Sequence, residues 1–263
     1  MSRYLFTICG RAGSKGIKGK NAGFFLEIPL VYYTLAAIQL YQEHHPESDV
    51  VIALNTDSED LRQLLDSSAV SYEYIPREQS LADDAVGKVD VIRATYRQVC
   101  QNLGTDFDAV VDFDITSPLR TLEDIEVLLA KRETSEAGVV FTVTQSRRNP
   151  YFNMVKRNED GTCSKVIDSN FTARQQAPTV FDMNASMYAY SKDFMEGESA
   201  IFDSPCDYTV MKDTAVLDLD HPEDLELMQV IARYLFDTDV QMSAVRKRAE
   251  DMAGLPLGSG LAI

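Results

Sequence analysis

Positive charge is scarce in this chain of 263 residues. Lysine and arginine together number 25, against 41 aspartate and glutamate residues, which gives a formal net charge of −16. The isoelectric point calculated from the sequence is near 4.6. Nucleic acid and anionic membrane surfaces would be repelled over most of such a protein surface. The composition therefore argues against both as partners.

Cysteine, histidine and long apolar runs are also scarce. The four cysteines are scattered without the paired spacings of zinc sites or redox dithiols, which predicts a reducing compartment. The three histidines show no spacing of metal ligands or of a catalytic triad. The apolar runs are too short for a signal peptide or a membrane span. We therefore expect a soluble cytoplasmic protein.

Strand-like and helix-like segments alternate along most of the chain. Apolar strands are predicted at residues 5–9, 50–54, 72–75, 108–113 and 138–143, with helical patterns between several of them. This alternation predicts an α/β fold with a Rossmann-like, mostly parallel central sheet flanked by helices. The length suits one large domain with a smaller insertion.

The alternation stops from about Gln145 to Gln176, where turn sequences indicate a hairpin. We interpret residues 145–186 as a small subdomain inserted into a main domain that covers residues 1–236. Strand character returns at 187–190 and 215–219, and His221-Pro222 predicts the start of a helix. Residues 237–263 are predicted to form a loosely held C-terminal extension.

The most informative segment joins the first strand to a loop that is rich in glycine and positive charge. Glycine lets the backbone approach a ligand with its amide hydrogens exposed, and the cations supply charge for phosphate. The spacing matches neither the P-loop nor the dinucleotide-binding motif. The loop therefore predicts a nucleoside triphosphate site of another kind, with a mobile solvated loop as the alternative. Its glycines and cations are Gly10, Arg11, Gly13, Lys15, Gly16, Lys18, Gly19 and Lys20.

Two pairs of aspartates follow predicted strands, and each pair is spaced two residues apart. In an extended segment, the carboxylates of Asp218 and Asp220 point the same way and suit Mg²⁺ bound to substrate phosphates. Asp112 and Asp114 repeat this spacing. One pair can bind metal while the other binds sugar hydroxyls or caps a turn, and spacing alone does not assign them. Solvated aspartates at a strand end are the alternative.

Other candidate residues stand alone. Arg174 lies in the irregular segment, where a guanidinium can bind a substrate carboxylate through two parallel hydrogen bonds. Arg77 and Asp84 can contact a nucleotide base. An ordinary surface charge is the alternative for each. The sequence shows no serine or cysteine nucleophile arrangement and no evident general base.

Seven short motifs occur in a fixed order, and together they are more specific than any one alone. They are ICGRAGSKGIKGKN, PLVYYTL, NTDSED, LADD, ITSPLR, NASMYAY and LDLDHPEDLEL. From about residue 3 to residue 235 the chain resembles the acylneuraminate cytidylyltransferase family. The resemblance implies a homodimeric, Mg²⁺-dependent enzyme for surface glycan biosynthesis. It would transfer a cytidylyl group from CTP to a nine-carbon, sialic-acid-like sugar acid and release pyrophosphate.

The resemblance also implies a role for each candidate residue. The loop around the triphosphate and base is matched by Arg11, Gly13, Ser14, Lys15, Lys20 and Asn21, and the region around the cytosine by Arg77 and Asp84. Arg11, Lys15 and Lys20 would act in catalysis together with Asp218. Asp218 and Asp220 match the metal-binding aspartates. The sugar site is matched by Asp114, Arg120, Arg174, Gln175 and Asn184.

Two positions depart from the usual pattern of sialic acid enzymes. Asp114-Ile115 replaces a glutamine-proline pair, and Lys88 replaces a small hydroxyl residue. A carboxylate accepts hydrogen bonds but cannot donate them, so we expect different sugar substituents, such as those of legionaminic acid. N-acetylneuraminic acid stays an alternative.

Three other functions stay open. The chain can be a Kdo cytidylyltransferase or another sugar nucleotidyltransferase, including one that uses UTP or GTP. It can be a glycosyltransferase that uses Asp112 and Asp114 as an Asp-x-Asp metal motif, or a catalytically silent nucleotide-binding regulator. The basic loop argues against a glycosyltransferase, because a diphosphate sugar needs less positive charge than a triphosphate.

Overall fold

The computed structural model describes residues 2–13, 17, 19–83, 86–213 and 222–255. The strands in these residues are β1 (Arg3–Gly10), β2 (Phe24–Phe25), β3 (Ile28–Pro29), β4 (Asp49–Thr56), β5 (Glu73–Pro76), β6 (Ala109–Phe113), β7 (Val139–Gln145), β8 (Val155–Arg157), β9 (Cys163–Lys165), β10 (Phe181–Ser191) and β11 (Asp207–Val210). The α-helices are α1 (Leu30–His44), α2 (Glu59–Ser67), α3 (Lys88–Leu103), α4 (Leu122–Thr134), α5 (Lys192–Glu196), α6 (Pro222–Thr238) and α7 (Val240–Met252).

Seven of these strands form one central sheet in the order β11-β7-β10-β6-β1-β4-β5. Every neighbouring pair is parallel except the two pairs made by β10, which runs antiparallel to β6 and β7. The predicted mostly parallel sheet flanked by helices is confirmed. Among the described residues, no helix is both long and apolar enough to cross a bilayer.

Apolar residues cover both faces of β1, which is an inner strand. Phe6 and Ile8 are fully buried in a cluster with α1, α4 and α7, and Leu5 is buried on the other face in a cluster with α3. Each such side chain contributes about 1.5–3 kcal/mol when it is fully buried. Burial on two faces explains the continuous apolar run that identified this strand in the sequence.

Polar side chains fix where several of the helices begin. At the start of α4 the Thr121 hydroxyl accepts a hydrogen bond from the Asp124 amide at 3.2 Å, and the Asp124 carboxylate accepts one from the Thr121 amide at 2.8 Å. This reciprocal capping confirms the helix start predicted at Thr121. Ser58 caps α2 in a similar way through the amide of Leu61.

The segment between β7 and β10 contains the predicted hairpin, formed by β8 and β9. At its base, the amide of Ser146 donates to the carbonyl of Val180 at 3.3 Å. The segment therefore leaves the sheet and returns to it at one place.

The C-terminal residues differ from the expectation. Residues 240–252 form α7, which buries Met242, Val245 and Ala249, and the Arg248 guanidinium binds the Glu43 carboxylate of α1. The prediction of a loosely held extension is therefore wrong for α7, because this helix completes the core beside α1. The strand predicted at 215–219 lies outside the described residues.

Candidate active site

The carboxyl ends of β1, β4 and β6 meet at one edge of the sheet. Gly10 at the end of β1 lies opposite Thr56 of β4, and Ile8 lies opposite Phe113 of β6. The residues that follow these strands therefore share one edge, which is where open α/β sheets bind ligands. These residues include Arg11, Asp57 and Asp114.

Hydrogen bonds tie the start of the glycine-rich loop to its neighbours. The amide of Ala12 donates to the Asp57 carboxylate at 2.7 Å, and the Asn21 side-chain amide donates to the carbonyl of Arg11 at 3.1 Å. Lys20 opens a short 3₁₀ turn, Lys20–Ala22, directly after Gly19, whose φ of +66° favours glycine. The loop thus brings Arg11, Lys20 and Asn21 to the edge where the sequence predicts a triphosphate.

Gly10 is required by the close packing at this edge. A Cβ atom on Gly10 would lie 2.7 Å from Leu61 Cδ2, 2.9 Å from Ile115 Cδ1 and 3.3 Å from Asn21 Nδ2. The end of β1 therefore touches both α2 and the turn after β6. The exposed Gly13 has no such neighbour within 4 Å in the part of the chain that the structure describes.

Several predicted site residues lie outside the described residues. They are Ser14 and Lys15 of the loop, Asp84 beside the predicted cytosine region, and the predicted metal ligands Asp218 and Asp220. Within the described ranges, no group of three or more His, Cys, Asp or Glu residues is arranged to hold a metal ion.

Arg77 lies at the same edge, directly after β5. Its Nε donates to the side-chain oxygen of the buried Asn55 at 2.8 Å, and its amide donates to the carbonyl of Thr56. Asn55 also lines a cavity of about 350 Å³ between β5 and α3. Asn55 was not predicted as a site residue, although it begins the polar NTDSED motif directly after the strand predicted at residues 50–54.

A lysine joins the two aspartates at the end of β6. The Lys88 ammonium, at the start of α3, lies 2.8 Å from a carboxylate oxygen of Asp112 and 2.8 Å from one of Asp114. The other oxygen of the fully buried Asp112 accepts a hydrogen bond from the Thr7 hydroxyl at 2.9 Å. The other oxygen of Asp114 accepts from the amide and the hydroxyl of Thr116, at 2.8 and 2.6 Å.

Opposite charges dominate the titration of this cluster. Desolvation lowers the pKa of Lys88, but attraction to Asp112 and Asp114 outweighs it and raises that pKa well above its ordinary value. Burial raises the pKa of Asp114, but the charge of Lys88 and hydrogen bonds from Lys88 and Thr116 outweigh it and hold the pKa well below its usual range. Lys88 and Asp114 are therefore charged at neutral pH.

Arg120 lies behind the turn that carries Asp114 and is fully buried. Its guanidinium donates to the carbonyl of Asp114, to the carbonyl of Ser117 at 2.6 Å and to the Thr34 hydroxyl at 3.3 Å. This arrangement supports the turn from within the core. The direct sugar contact implied by the resemblance stays a prediction, and it requires the guanidinium to become accessible.

Asn184 is also buried, within an irregularity of β10. The pairing of β10 with β7 shifts register between Met183 and Tyr188, and Ala185 has a φ of +51°. Asn184 accepts a hydrogen bond from the Thr142 hydroxyl at 2.6 Å, and the nearby carbonyl of Ser186 accepts from the Asp114 amide at 3.1 Å. The irregular part of β10 is thus bonded directly to the Asp114 turn.

Arg174 and Gln175 lie in the inserted segment and are exposed. They line an open cavity of about 430 Å³, where the Arg174 guanidinium donates to the carbonyl of Ser146 at 2.9 Å. Because β7 runs in the same direction as β6, the insertion leaves the sheet at the edge that carries Asp114. The predicted sugar-binding residues Arg174 and Gln175 therefore lie on a segment that extends from the same edge of the sheet as Asp114.

The family of the chain follows from its match to a known sequence family. The family model described as Cytidylyltransferase matches residues 5–236. The chain belongs to the cytidylyltransferase family. This membership makes it a nucleotidyltransferase and confirms the family identified from its motifs.

Curated relatives resemble this cytidylyltransferase over nearly their whole length. The Post-translational flagellin modification protein B of Campylobacter coli is 30% identical over 236 residues, which cover 89% of this chain and 96% of that protein. The CMP-N,N'-diacetyllegionaminic acid synthase of Campylobacter jejuni is 29% identical over 231 residues, which cover 88% and 95%.

The fold of this cytidylyltransferase also occurs in a solved structure of CMP:2-keto-3-deoxy-manno-octonic acid synthetase complexed with CTP. The two structures align with a TM-score of 0.61 at 15% identity, over 89% of this chain and 99% of the other. At this identity the likeness concerns the fold alone.

Proposed function

We propose that the chain transfers a cytidylyl group from CTP to a nonulosonic acid, which is a nine-carbon, sialic-acid-like sugar acid, and releases pyrophosphate. The observation that carries the proposal is the similarity, across 88% of the chain, to a protein named CMP-N,N'-diacetyllegionaminic acid synthase. The shared edge of Arg11, Lys20, Asn21 and Asp114 supports it, because a triphosphate and an acceptor can bind side by side there.

The chemistry of the proposed reaction needs little covalent work from the protein. Arg11 and Lys20, with Lys15 from the same loop, would bind the triphosphate and neutralise charge that builds up on it. Positioning would then bring the anomeric hydroxyl in line with the α-phosphorus. Asp218 and Asp220 would hold Mg²⁺, which supplies further positive charge to the phosphates when it is bound.

The proposed acceptor belongs to the legionaminic acid class rather than being N-acetylneuraminic acid. The named legionaminic acid synthase supports this choice, and so does Asp114, whose carboxylate offers acceptors where sialic acid enzymes usually have an amide. A Kdo acceptor has only the fold likeness in its favour.

The proposed assembly is a homodimer in which the inserted segment reaches the neighbouring subunit. Arg174 supports this proposal, because it is exposed on a segment that extends away from the sheet. A cytoplasmic location is part of the same proposal, since all four cysteines are free thiols, as a reducing compartment would keep them.

A substrate panel tests the proposed reaction. The chain is incubated with Mg²⁺, each of four nucleoside triphosphates and a set of acceptors that includes legionaminic, pseudaminic, N-acetylneuraminic and Kdo acids, and released pyrophosphate is measured. We expect turnover with CTP and a nonulosonic acid. Turnover only with Kdo, or no preference for CTP, would contradict the proposal.

Two variants refine the test. Asp114→Gln should change the ranking of the acceptors, whereas Asp160→Asn in the exposed turn between β8 and β9 should leave it unchanged as a control. For the dimer, an inactive Arg174 variant mixed with an inactive Asp218 variant should recover some activity. No recovery after verified subunit exchange would count against sharing of the site.

A further inference from the structure

Lys88 occupies an unusual place for a cation. It is the first residue of α3, where the helix dipole disfavours positive charge. The nearby Asp90 of the same turn pairs with Arg93 at 3.6 Å, so it does not account for Lys88. The side chain instead reaches across to the end of β6, where its ammonium is held between two carboxylates. Packing within the helix therefore does not explain this lysine.

The two carboxylates form a seat for one cation. One oxygen of Asp112 and one of Asp114 each lie 2.8 Å from the same nitrogen, so they converge on one point. Asp112 is completely buried, and a buried carboxylate needs a compensating positive charge. Oxygen pairs of this kind also suit divalent metal ions, which commonly bind one or two carboxylates in proteins. The seat is thus chemically suited to a metal ion but is filled by an amine.

The lysine also fixes the turn that follows β6. Asp114 is held on one oxygen by Lys88 and on the other by Thr116, while its amide donates to Ser186 and its carbonyl accepts from Arg120. Lys88 is the member of this set whose side chain is about one-third exposed, at 36%. Its contact therefore lies on the open side of the turn, and the other contacts lie behind it.

We propose that Lys88 acts as a tethered cation that fills the seat between Asp112 and Asp114 in place of a divalent metal ion and so positions the Asp114 turn. The part that concerns positioning for the sugar acid rests on the proposed function. The part that concerns the seat itself does not, because it can be measured without any substrate.

Metal binding by Lys88 variants tests the seat. Lys88→Met keeps the length of the apolar stem but removes the charge, and Lys88→Arg keeps the charge. With no nucleotide present, Mn²⁺ binding is counted by electron paramagnetic resonance, and thermal melts are recorded with and without Mn²⁺. We expect Lys88→Met to bind one more Mn²⁺ per chain than the unchanged protein does, and to gain melting temperature with Mn²⁺ beyond any gain of the unchanged protein. Lys88→Arg should show neither effect.

A double variant assigns the additional ion to this seat. Lys88→Met combined with Asp114→Asn should lose the additional Mn²⁺, because one of the two carboxylates is removed. If Lys88→Met does not fold alone, refolding in Mn²⁺ should recover it. Equal Mn²⁺ counts in Lys88→Met and the unchanged protein, or a failure of Mn²⁺ to recover unfolded Lys88→Met, would overturn the proposal.

Steady-state kinetics test the positioning role separately. Lys88→Met should lower kcat/KM for the sugar acid by up to about 100-fold, as a misplaced binding group does, while the KM for CTP changes by less than about threefold. Lys88→Arg should restore part of the loss. An equal effect on both substrates would overturn the positioning role, whereas absence of CMP-sugar formation by the unchanged protein would contradict the proposed function instead.

Discussion

The packing around Gly10 allows a sharp prediction for Gly10→Ala. The new methyl group would lie 2.7 Å from Leu61 Cδ2 and 2.9 Å from Ile115 Cδ1, which is well inside normal contact distance. Both neighbours are fully or almost fully buried, so they can move only by displacing other core atoms. Overpacking of this kind costs about 1–3 kcal/mol of unfolding free energy.

The expected effect is measurable in thermal melts and urea titrations at one pH. For a chain of this size, each kcal/mol corresponds to roughly 2–4 °C in melting temperature. Gly13→Ala is the matched control, because no atom of the described residues lies within 4 Å of its added Cβ, and it should change stability by less than about 0.5 kcal/mol. The activity assay adds a second measurement. The methyl group would also press on Asn21, whose amide holds Arg11, so the KM for CTP should rise in Gly10→Ala.

A third variant tests the cause. Ile115→Val removes the carbon that lies 2.9 Å from the new methyl group. The double variant, Gly10→Ala with Ile115→Val, should therefore lose less unfolding free energy than the two single variants lose in sum. If Gly10→Ala melts like the unchanged protein, or if Gly13→Ala loses as much stability, the close packing at this edge does not exist as described.

Three further predictions concern other parts of the molecule. Met242→Ala should lower the unfolding free energy by about 2–5 kcal/mol, because α7 packs against the core. Val240→Ala, on the exposed part of that helix, should change it by less than about 0.5 kcal/mol. Equal losses for the two variants in urea titrations would contradict this packing. A hydrogen bond with Glu126 raises the pKa of His45, so their pairing stabilises the fold fully below about pH 6.5 and less as the pH rises through that raised pKa. Thermal melts recorded from about pH 6 upward should show the melting temperature falling as His45 loses its proton, and this fall should be smaller in Glu126→Gln. Arg120→Lys keeps the positive charge but loses the forked hydrogen bonds to the Asp114 turn. We expect a loss of about 2–4 kcal/mol of unfolding free energy in urea titrations. An unchanged urea midpoint would show that Arg120 does not support this turn.

Local sequence signals predicted the elements whose causes are local. The apolar run of β1 reflects burial on two faces, and the cap of α4 uses Thr121 and Asp124, which are three residues apart. Both can be recognised from short segments. The common edge of Arg11, Arg77 and Asp114 was also predictable, because parallel strands end on the same side of a sheet.

Features that depend on distant residues could not be predicted in the same way. Lys88 is 26 positions from Asp114 in the sequence, so their contact could not be predicted. In the sequence, Lys88 was notable only because it departs from the family pattern. Arg120 and Asn184 were recognised as motif residues, but their burial depends on how α1 and β7 pack around them. Helix α7 was not predicted, because its apolar residues are buried only by packing against a distant part of the chain, which includes α1.

The course of β10 has a consequence for any ligand or subunit that binds the inserted segment. This single strand runs from the end of the insertion, at Phe181, through its irregular stretch to the backbone contact between Ser186 and Asp114. A molecule that holds the insertion in one orientation thereby favours one orientation of the Asp114 turn. By thermodynamic reciprocity, a sugar that orders this turn would also favour that orientation of the insertion, so in the proposed dimer acceptor binding and assembly would be energetically coupled.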